Sequence, residues 1–402
     1  MANQESTAGP SPVAVCFAGM LALAVAMGIG RFAFTPMLPL MIQGAGLDVA
    51  SGGWIAAANY AGYLVGALTA SRVPMGAVRL GIVALLATAL LTAAMALPGP
   101  AVLWAVLRFA AGVASAWVFV STAVWCLGAL ARMHRAAWGG AVYFGVGAGI
   151  ALAGLWCLAG GVAGASPAAL WIQLGLLAAA LMVPVVIVMR KVGEAPPPAA
   201  ASAAPSPPPP GTTGLVISYG AFGFGYILPA TFLPVLARSV VEDPRLFGLA
   251  WPVFGAMAAV STLLASWFMR RASRLQVWSA AHMLMGLGVL LPSVSASGTA
   301  IALSALLVGG TFMVITMAGV QEIRARAVGD PTRWVARMTG AFALGQIAGP
   351  MVSSMLLHLP LHGMNGLNLA LQAGAAALWL SGAWLWREAG FSLTRERMSH
   401  AR

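Results

Sequence analysis

Long apolar runs, separated by short breaks, are the main pattern along this chain of 402 residues. Most runs have about 17 residues or more, which is the length a helix needs to cross the hydrocarbon core of a bilayer. Charged residues and turn-forming Gly and Pro mark the breaks. The pattern predicts twelve membrane-spanning helices, at roughly 13–41, 53–71, 80–97, 101–130, 137–160, 167–189, 214–236, 247–269, 277–294, 300–321, 334–357 and 366–385.

The composition agrees with a lipid bilayer as the surroundings of this chain. Hydrophobic residues make up 60% of it and charged residues only 7%, whereas a soluble domain carries about 25% charged residues. The mean hydropathy is +0.90. The net charge of +12 does not indicate nucleic-acid binding, because the basic residues lie in short clusters between apolar runs.

The distribution of basic residues predicts the orientation in the membrane. Seventeen Lys and Arg residues lie in the loops of one side and in the C-terminal tail, against only Arg238 and Arg245 on the other side. Cytoplasmic loops of membrane proteins carry the excess of Lys and Arg. We therefore expect a multi-pass plasma-membrane protein with both termini in the cytoplasm.

A proline-rich stretch at the midpoint divides the chain. Proline cannot continue a helix, so this stretch is expected to be an extended, semi-rigid tether. The predicted organisation is an N-terminal tail at 1–12, a six-helix bundle at 13–190, a cytoplasmic linker at 191–213, a second six-helix bundle at 214–386 and a basic cytoplasmic tail at 387–402.

The two predicted bundles share a sequence repeat. The stretch 28–41 in the first span has an echo at 223–236 in the seventh, where two glycines and a Leu-Pro pair recur 195 positions later. Arg31 in the first copy is replaced by Tyr226 in the second. Matches in the second and eighth spans and in the fifth and eleventh spans follow the same register. The repeat predicts two pseudo-symmetric bundles with the same orientation, an all-α integral membrane fold.

Two basic residues, Arg31 and Arg108, fall at membrane depth. Counting 1.5 Å per residue from the outer ends of their spans puts Arg31 about 15 Å and Arg108 about 12 Å below the same surface. No Asp or Glu occurs between Asp48 and Glu194. Two desolvated cations without an acidic partner favour a bound anion, because the guanidinium fork fits a carboxylate or phosphate. The alternative is that one Arg bonds backbone carbonyls or Tyr and Asn side chains and merely fixes helix packing.

Other candidate substrate-binding residues are polar or aromatic groups in the predicted spans. Each has a plainer interpretation, since such groups often bond a neighbouring helix or simply pack. These candidates are Phe34, Asn59, Tyr219, Tyr226, Thr311 and Gln346.

Two further residues are expected outside the site. Glu322, beside Arg324 and Arg326, predicts a cytoplasmic ion pair, and His282 predicts a packed, hydrogen-bonded imidazole. Walker, Cys-x-x-Cys, His-Glu-x-x-His and Ser/His/Asp patterns are absent from the sequence. We therefore expect no enzyme activity, no cofactor and no metal site.

Four stretches resemble the YbfB/YjiJ-like branch of the major facilitator superfamily. The resemblance implies that helices one, four, seven and ten line a central cavity, which would put Arg31, Arg108, Tyr226 and Thr311 on it. The loop after the second helix lacks the acid usual in the superfamily, so a cytoplasmic latch there is in doubt. The stretches are Gly28-Ile-Gly-Arg-Phe-Ala-Phe-Thr-Pro-Met-Leu-Pro-Leu-Met41, Arg108-Phe-Ala-Ala-Gly112, Gly223-Phe-Gly-Tyr226 and Gly345-Gln-Ile-Ala-Gly-Pro350.

These features together predict a secondary transporter that moves a small organic solute, favoured to be an anion, by alternating access. The alternatives are proton-driven efflux of lipophilic or cationic compounds and, in another class, a non-transporting membrane sensor or scaffold. Exchange and coupling to protons both stay open. We expect a monomer, and the resemblance implies the bacterial inner membrane.

Overall fold

The computed structural model describes residues 9–135, 138–194, 211–326, 332–358 and 365–400, and all regular elements of these residues are helices. Most of the predicted proline-rich linker, 195–210, lies outside the described residues. The long helices are α1 Pro12–Gly44, α2 Val49–Thr69, α3 Ala77–Ala94, α4 Ala101–Arg132, α5 Gly139–Val162, α6 Pro167–Val192, α7 Thr212–Val240, α8 Ala250–Phe268, α9 Arg274–Val294, α10 Gly298–Arg326, α11 Thr332–His358 and α12 Gly366–His400.

The predicted all-α membrane architecture is confirmed. Eleven helices are long and apolar enough to cross a membrane, and α2, with 21 residues, packs against α4 and α11. The hydropathy of α2 is lowered by Asn59, Tyr60 and Tyr63, which are buried inside the bundle. Predicted and observed ends agree within five residues except at the last helix, where α12 continues to His400.

Glycines let the helices of the two halves touch at the backbone. Helices α1–α6 pack mainly with one another, as do α7–α12, and the halves meet chiefly where α5 crosses α8 and α2 crosses α11. A Cβ built at Gly147 of α5 would lie 2.2 Å from the backbone nitrogen of Ala259 in α8, and one at Gly145 would lie 2.1 Å from the Met20 oxygen of α1. The small residues of α5 therefore allow close packing on both sides.

Helix α1 changes its winding in the middle of the membrane. Residues Ala24–Arg31 are π-helical, and the Phe32 nitrogen donates to the Met27 oxygen, five residues back, at 3.0 Å. A turn at 32–33 follows, and α-helical geometry resumes at Phe34. Pro36 lies just beyond the turn and has no N–H to donate backwards. The break opens the backbone at Arg31, because π-bulges and prolines disturb the regular hydrogen-bond ladder.

The carboxylates of Glu194 and Glu322 bind helix ends on the side that carries most of the basic residues. The Glu194 carboxylate, at the end of the segment that follows α6, accepts hydrogen bonds from the Val78 and Arg79 nitrogens at 3.1 Å each. Glu322 of α10 binds Arg274 at 2.9 Å and Arg326 at 2.8 Å, so the predicted ion pair is confirmed. An acid thus caps the start of α3, although the α2–α3 loop contains none.

We predict that Glu194 and Gly76 stabilise the protein as one unit. A Cβ at Gly76 would come within 2.3 Å of the Glu194 carboxyl carbon, although the φ of −65° suits any residue. Glu194→Ala should cost about 0.5–2 kcal/mol, as loss of a helix cap does, and Gly76→Ala should cost a similar amount by displacing the carboxylate. In thermal melts of purified protein the double variant should be no less stable than the worse single variant. Additive losses would contradict this coupling.

Candidate functional site

Arg108 is bound to the opened turn of α1. Its Nη1 donates to the Gly30 oxygen at 2.6 Å and its Nη2 donates to the Arg31 oxygen. The side chain is 1% exposed. Asn59 of α2 in turn donates from Nδ2 to the Arg108 oxygen at 2.7 Å. Arg108 and Asn59 therefore join α1, α4 and α2, and both use backbone carbonyls as partners.

The guanidinium of Arg31 has a different environment. Its Nη2 donates to Gln346 Oε1 of α11 at 2.5 Å, and its Cζ lies 3.9 Å from the centre of the Tyr63 ring. The side chain is 3% exposed, and its Nε has no hydrogen-bond partner. Phe32 and Tyr60 flank the same group at 5.2 and 5.3 Å. Arg31 is thus held by aromatic faces and one neutral amide.

No carboxylate compensates either arginine in the part of the chain that the structure describes. The ion pairs there are those of Glu322 and Glu388 with Arg274 and Arg326 near the helix ends of the second half. A buried cation without an anion carries a desolvation cost of several kcal/mol. The arginine pair therefore leaves the centre of the bundle positively charged.

Gln346 connects Arg31 to its pseudo-symmetric counterpart. The Gln346 side chain is 0% exposed, and its Nε2 donates to the Tyr226 hydroxyl. The Tyr226 ring is stacked with Phe312 at 4.8 Å and with Phe342 at 5.5 Å. The repeat pairs Arg31 with Tyr226 in sequence, and the structure joins the two through a single amide.

The structure places three other candidates, Tyr219, Phe34 and Thr311, in different positions relative to the two arginines and Gln346. Tyr219 belongs to the same aromatic cluster, 5.5 Å from Phe342 by ring centres, and Phe34 lies 5.5 Å from the Arg108 Cζ. Thr311 bonds its own helix at the Leu307 oxygen, 2.6 Å away. It lines a separate cleft of 490 Å³ beside α8 and α9. The structure does not bring Thr311 to Arg31 and Gln346.

His282 borders the aromatic cluster, 6.3 Å from Phe222 by ring centres, and its hydrogen bonds go to residues other than Arg31 and Gln346. Its Nε2 accepts from Trp278 Nε1 at 2.9 Å, and its Nδ1 lies 2.8 Å from the Ser381 Oγ. The ring is fully buried between α9 and α12. Both nitrogens have partners, which confirms a packed, hydrogen-bonded imidazole.

Tyr60 and Tyr63 lie against the Arg31 guanidinium of the candidate site and were missed by the sequence interpretation. They lie one turn apart on α2, and the Tyr60 hydroxyl is 3.2 Å from Thr231 Oγ1 of α7. The chain has only five tyrosines, and two of them at helical spacing in an apolar span would have been the signal. Tyrosine in such a place needs a partner for its hydroxyl and presents a face that suits a cation.

Hydrogen bonds join the two halves on one side of Arg31, toward the C-terminal ends of α1 and α7. Thr35 Oγ1 donates to the Ala230 oxygen at 2.7 Å, Arg238 Nη1 donates to the Pro39 oxygen at 2.9 Å, and Ser354 Oγ donates to the Ala50 oxygen at 2.9 Å. A cavity of 290 Å³ lies beyond the first of these bonds, between α1, α5, α7 and α8. Access to Arg31 from this side is therefore closed in the structure.

We predict that Arg108 contributes to stability more than Arg31 does. Arg108→Met leaves the carbonyls of Gly30 and Arg31 without this donor, and each unpaired buried group costs about 1–3 kcal/mol. Arg31→Met removes one bond to a side-chain amide, and the relief of an unmatched charge is the same for both substitutions. Thermal melts should therefore show a larger drop for Arg108→Met than for Arg31→Met. Equal melting temperatures would argue against a role of Arg108 in holding the opened turn of α1.

The whole chain is similar in fold to solved transporters. A mutant form of the nucleoside transporter NupG has a TM-score of 0.71 at 13% identity over 94% of this chain and 99% of its own. The D-xylose-proton symporter gives 0.69 at 13% identity, covering 93% and 97%. A bacterial homologue of the human lysosomal transporter Spinster, inward-facing and unoccupied, gives 0.65 at 15% identity, covering 97% and 98%.

Sequence comparison places the family more narrowly. No curated protein sequence gives a significant match to the chain. Residues 23–385 match the family model described as uncharacterised MFS-type transporter YbfB. The match covers all twelve helices at least in part, including the arginines of α1 and α4. The chain therefore belongs to the YbfB-like family of major facilitator superfamily transporters and is a multi-pass membrane transporter, not an enzyme.

Proposed function

We propose that this secondary transporter moves a small organic anion, which binds at Arg31. The observation that carries the proposal is the guanidinium itself, which is buried on aromatic faces with Nε unpartnered. Its hydrogen bond to Gln346 is made to a neutral amide, and the ion pairs of the described residues do not include it. A carboxylate or phosphate would supply the missing charge and use the free donor.

The structure changes the role that we assign to Arg108. Both of its terminal nitrogens are already bonded to α1 carbonyls, so it positions the turn that carries Arg31. Its positive charge still adds to the field at the site, since little charge screening occurs in a low-dielectric interior. Substrate contact is assigned to Arg31, with Tyr63 and Tyr60 as the faces against which a solute would lie.

Charge also separates this proposal from efflux of cationic compounds. A cation would need a carboxylate in the membrane, and the acids that the structure describes lie near helix ends or in loops. Two of the structural neighbours are a nucleoside transporter and a D-xylose-proton symporter, but at 13% identity they bear on the fold alone.

The hydrogen bonds that close one side of Arg31 support alternating access about this site. By the distribution of basic residues the closed side would face outward, and because Arg31 is only 3% exposed we expect the site to open first toward the cytoplasm. Opening the other way requires the bonds of Thr35 and Arg238 to the opposite half to break. Rocking of the two halves about a central site is the motion that such repeats support.

The proposal predicts that Arg31 determines transport of anions. Proteoliposomes would be tested with labelled benzoate, lactate, succinate and glycerol 3-phosphate, and with benzamide and benzylamine as neutral and cationic counterparts. We expect uptake of at least one anion and of neither counterpart. Arg31→Gln should reduce that uptake by about 10- to 100-fold, the value of a charge-assisted hydrogen bond. Arg31→Lys should restore it only in part, because an ammonium lacks the fork.

The matched control is Arg245→Gln, which removes the same charge from the outer loop. It should keep wild-type uptake. Uptake of benzamide or benzylamine without any anion, or anion uptake that survives Arg31→Gln in well-folded protein, would contradict the proposal.

A further inference from the structure

The bond between Arg31 and Gln346 leaves half of the guanidinium edge unused. A carboxylate that binds an arginine side-on accepts two parallel N–H bonds, one from Nε and one from Nη2. Here Nη2 donates to Gln346 Oε1 at 2.5 Å, whereas Nε has no partner. An amide has one oxygen, so it can satisfy only one of the two donors.

We infer that Gln346 holds the place of the substrate carboxylate and must be displaced when an anion binds. This inference rests on the proposed anion site. The incoming carboxylate would take over the Nη2 donor from the amide oxygen and also satisfy the buried Nε. One hydrogen bond from the guanidinium to a neutral oxygen is thereby replaced by two bonds to a carboxylate, in which donor and acceptor are both ionised. Gln346 therefore sets the affinity of the site by competition.

Displacement of Gln346 also changes the contact between the two halves. Arg31 lies on α1 and Gln346 on α11, so the amide joins the first half to the second. Its Nε2 continues the connection to Tyr226 on α7. An anion at Arg31 breaks the side-chain bond from α1 to α11 and leaves the amide bonded to Tyr226 alone. Occupancy of the site is therefore coupled to the interface that must rearrange during transport.

The inference predicts opposite effects for two substitutions at one position. Gln346→Leu removes the competing oxygen, so the dissociation constant for an anion should fall by about tenfold, the worth of one hydrogen bond. Gln346→Glu supplies an internal carboxylate of the same shape, which can use both Nε and Nη2. Binding of an added carboxylate should then be lost, and the protein should melt at a higher temperature.

The experiment uses acetate, the smallest carboxylate carrying a methyl group, with acetamide as the neutral counterpart. Acetate would be titrated at constant ionic strength, and the dissociation constant taken from the thermal stabilisation of purified wild type and variants. Gln173→Leu is the matched control, because Gln173 lies in α6 and bonds Trp156 at 3.0 Å, away from the site. It should leave acetate binding unchanged.

The outcomes separate the inference from the proposed function. Equal acetate affinity in wild type, Gln346→Leu and Gln346→Glu, with binding lost in Arg31→Gln, would overturn the displacement and keep the anion site. Weaker binding in Gln346→Leu would also overturn it, because Gln346 would then be a substrate contact. Absence of acetate stabilisation in all of these proteins, including Gln346→Leu, would overturn both proposals. Stronger binding in Gln346→Leu with loss in Gln346→Glu supports both.

Discussion

A buried guanidinium that takes its hydrogen-bond partners from the backbone is the constraint on which the centre of this protein depends. Arg108 reaches carbonyls only because α1 is π-helical up to Arg31 and turns at 32–33. A regular helix would have committed those oxygens to its own ladder. The irregular turn and the arginine therefore require each other. The backbone of Arg31 is thereby fixed, and the guanidinium of Arg31 points toward α11.

The sequence was sufficient to predict the helical architecture, because a membrane allows few backbone structures. Backbone groups in lipid must be bonded within a helix, so apolar length and breaker residues locate the spans. The repeat also identified Arg31 and Tyr226 as equivalent positions. The sequence identified Gln346 as a candidate but could not predict that it joins Arg31 to Tyr226. The contact depends on how α11 is rotated against α1, and no periodicity encodes this.

The roles within the site were harder to predict for a specific reason. Because Arg31 and Arg108 lie at equal depth, the sequence predicted that both bind one anion. Depth along a helix, however, does not determine which groups a side chain contacts. Arg108 found carbonyls that become free only through the π-helical turn. Thr311 was placed by resemblance and bonds the Leu307 oxygen of its own helix instead. Glu194 caps α3 from more than a hundred positions away, a partner that the local loop pattern could not reveal.

The polar interactions divide into two kinds, and the division suits a molecule that rocks. Within the described residues, the ion pairs of Glu322 and Glu388 lie inside the second half, and the Glu194 cap lies inside the first. The halves are joined mainly by glycine-lined backbone contacts and by single hydrogen bonds to neutral acceptors, such as Thr35 to the Ala230 oxygen and Arg31 to Gln346. A single bond contributes about 0.5–1.5 kcal/mol between neutral groups and about 1.5–3 kcal/mol where the donor is charged, and it can be exchanged for a bond to water or solute. The carboxylate contacts therefore lie within each half, whereas the contacts between the halves are single bonds that end on neutral oxygens.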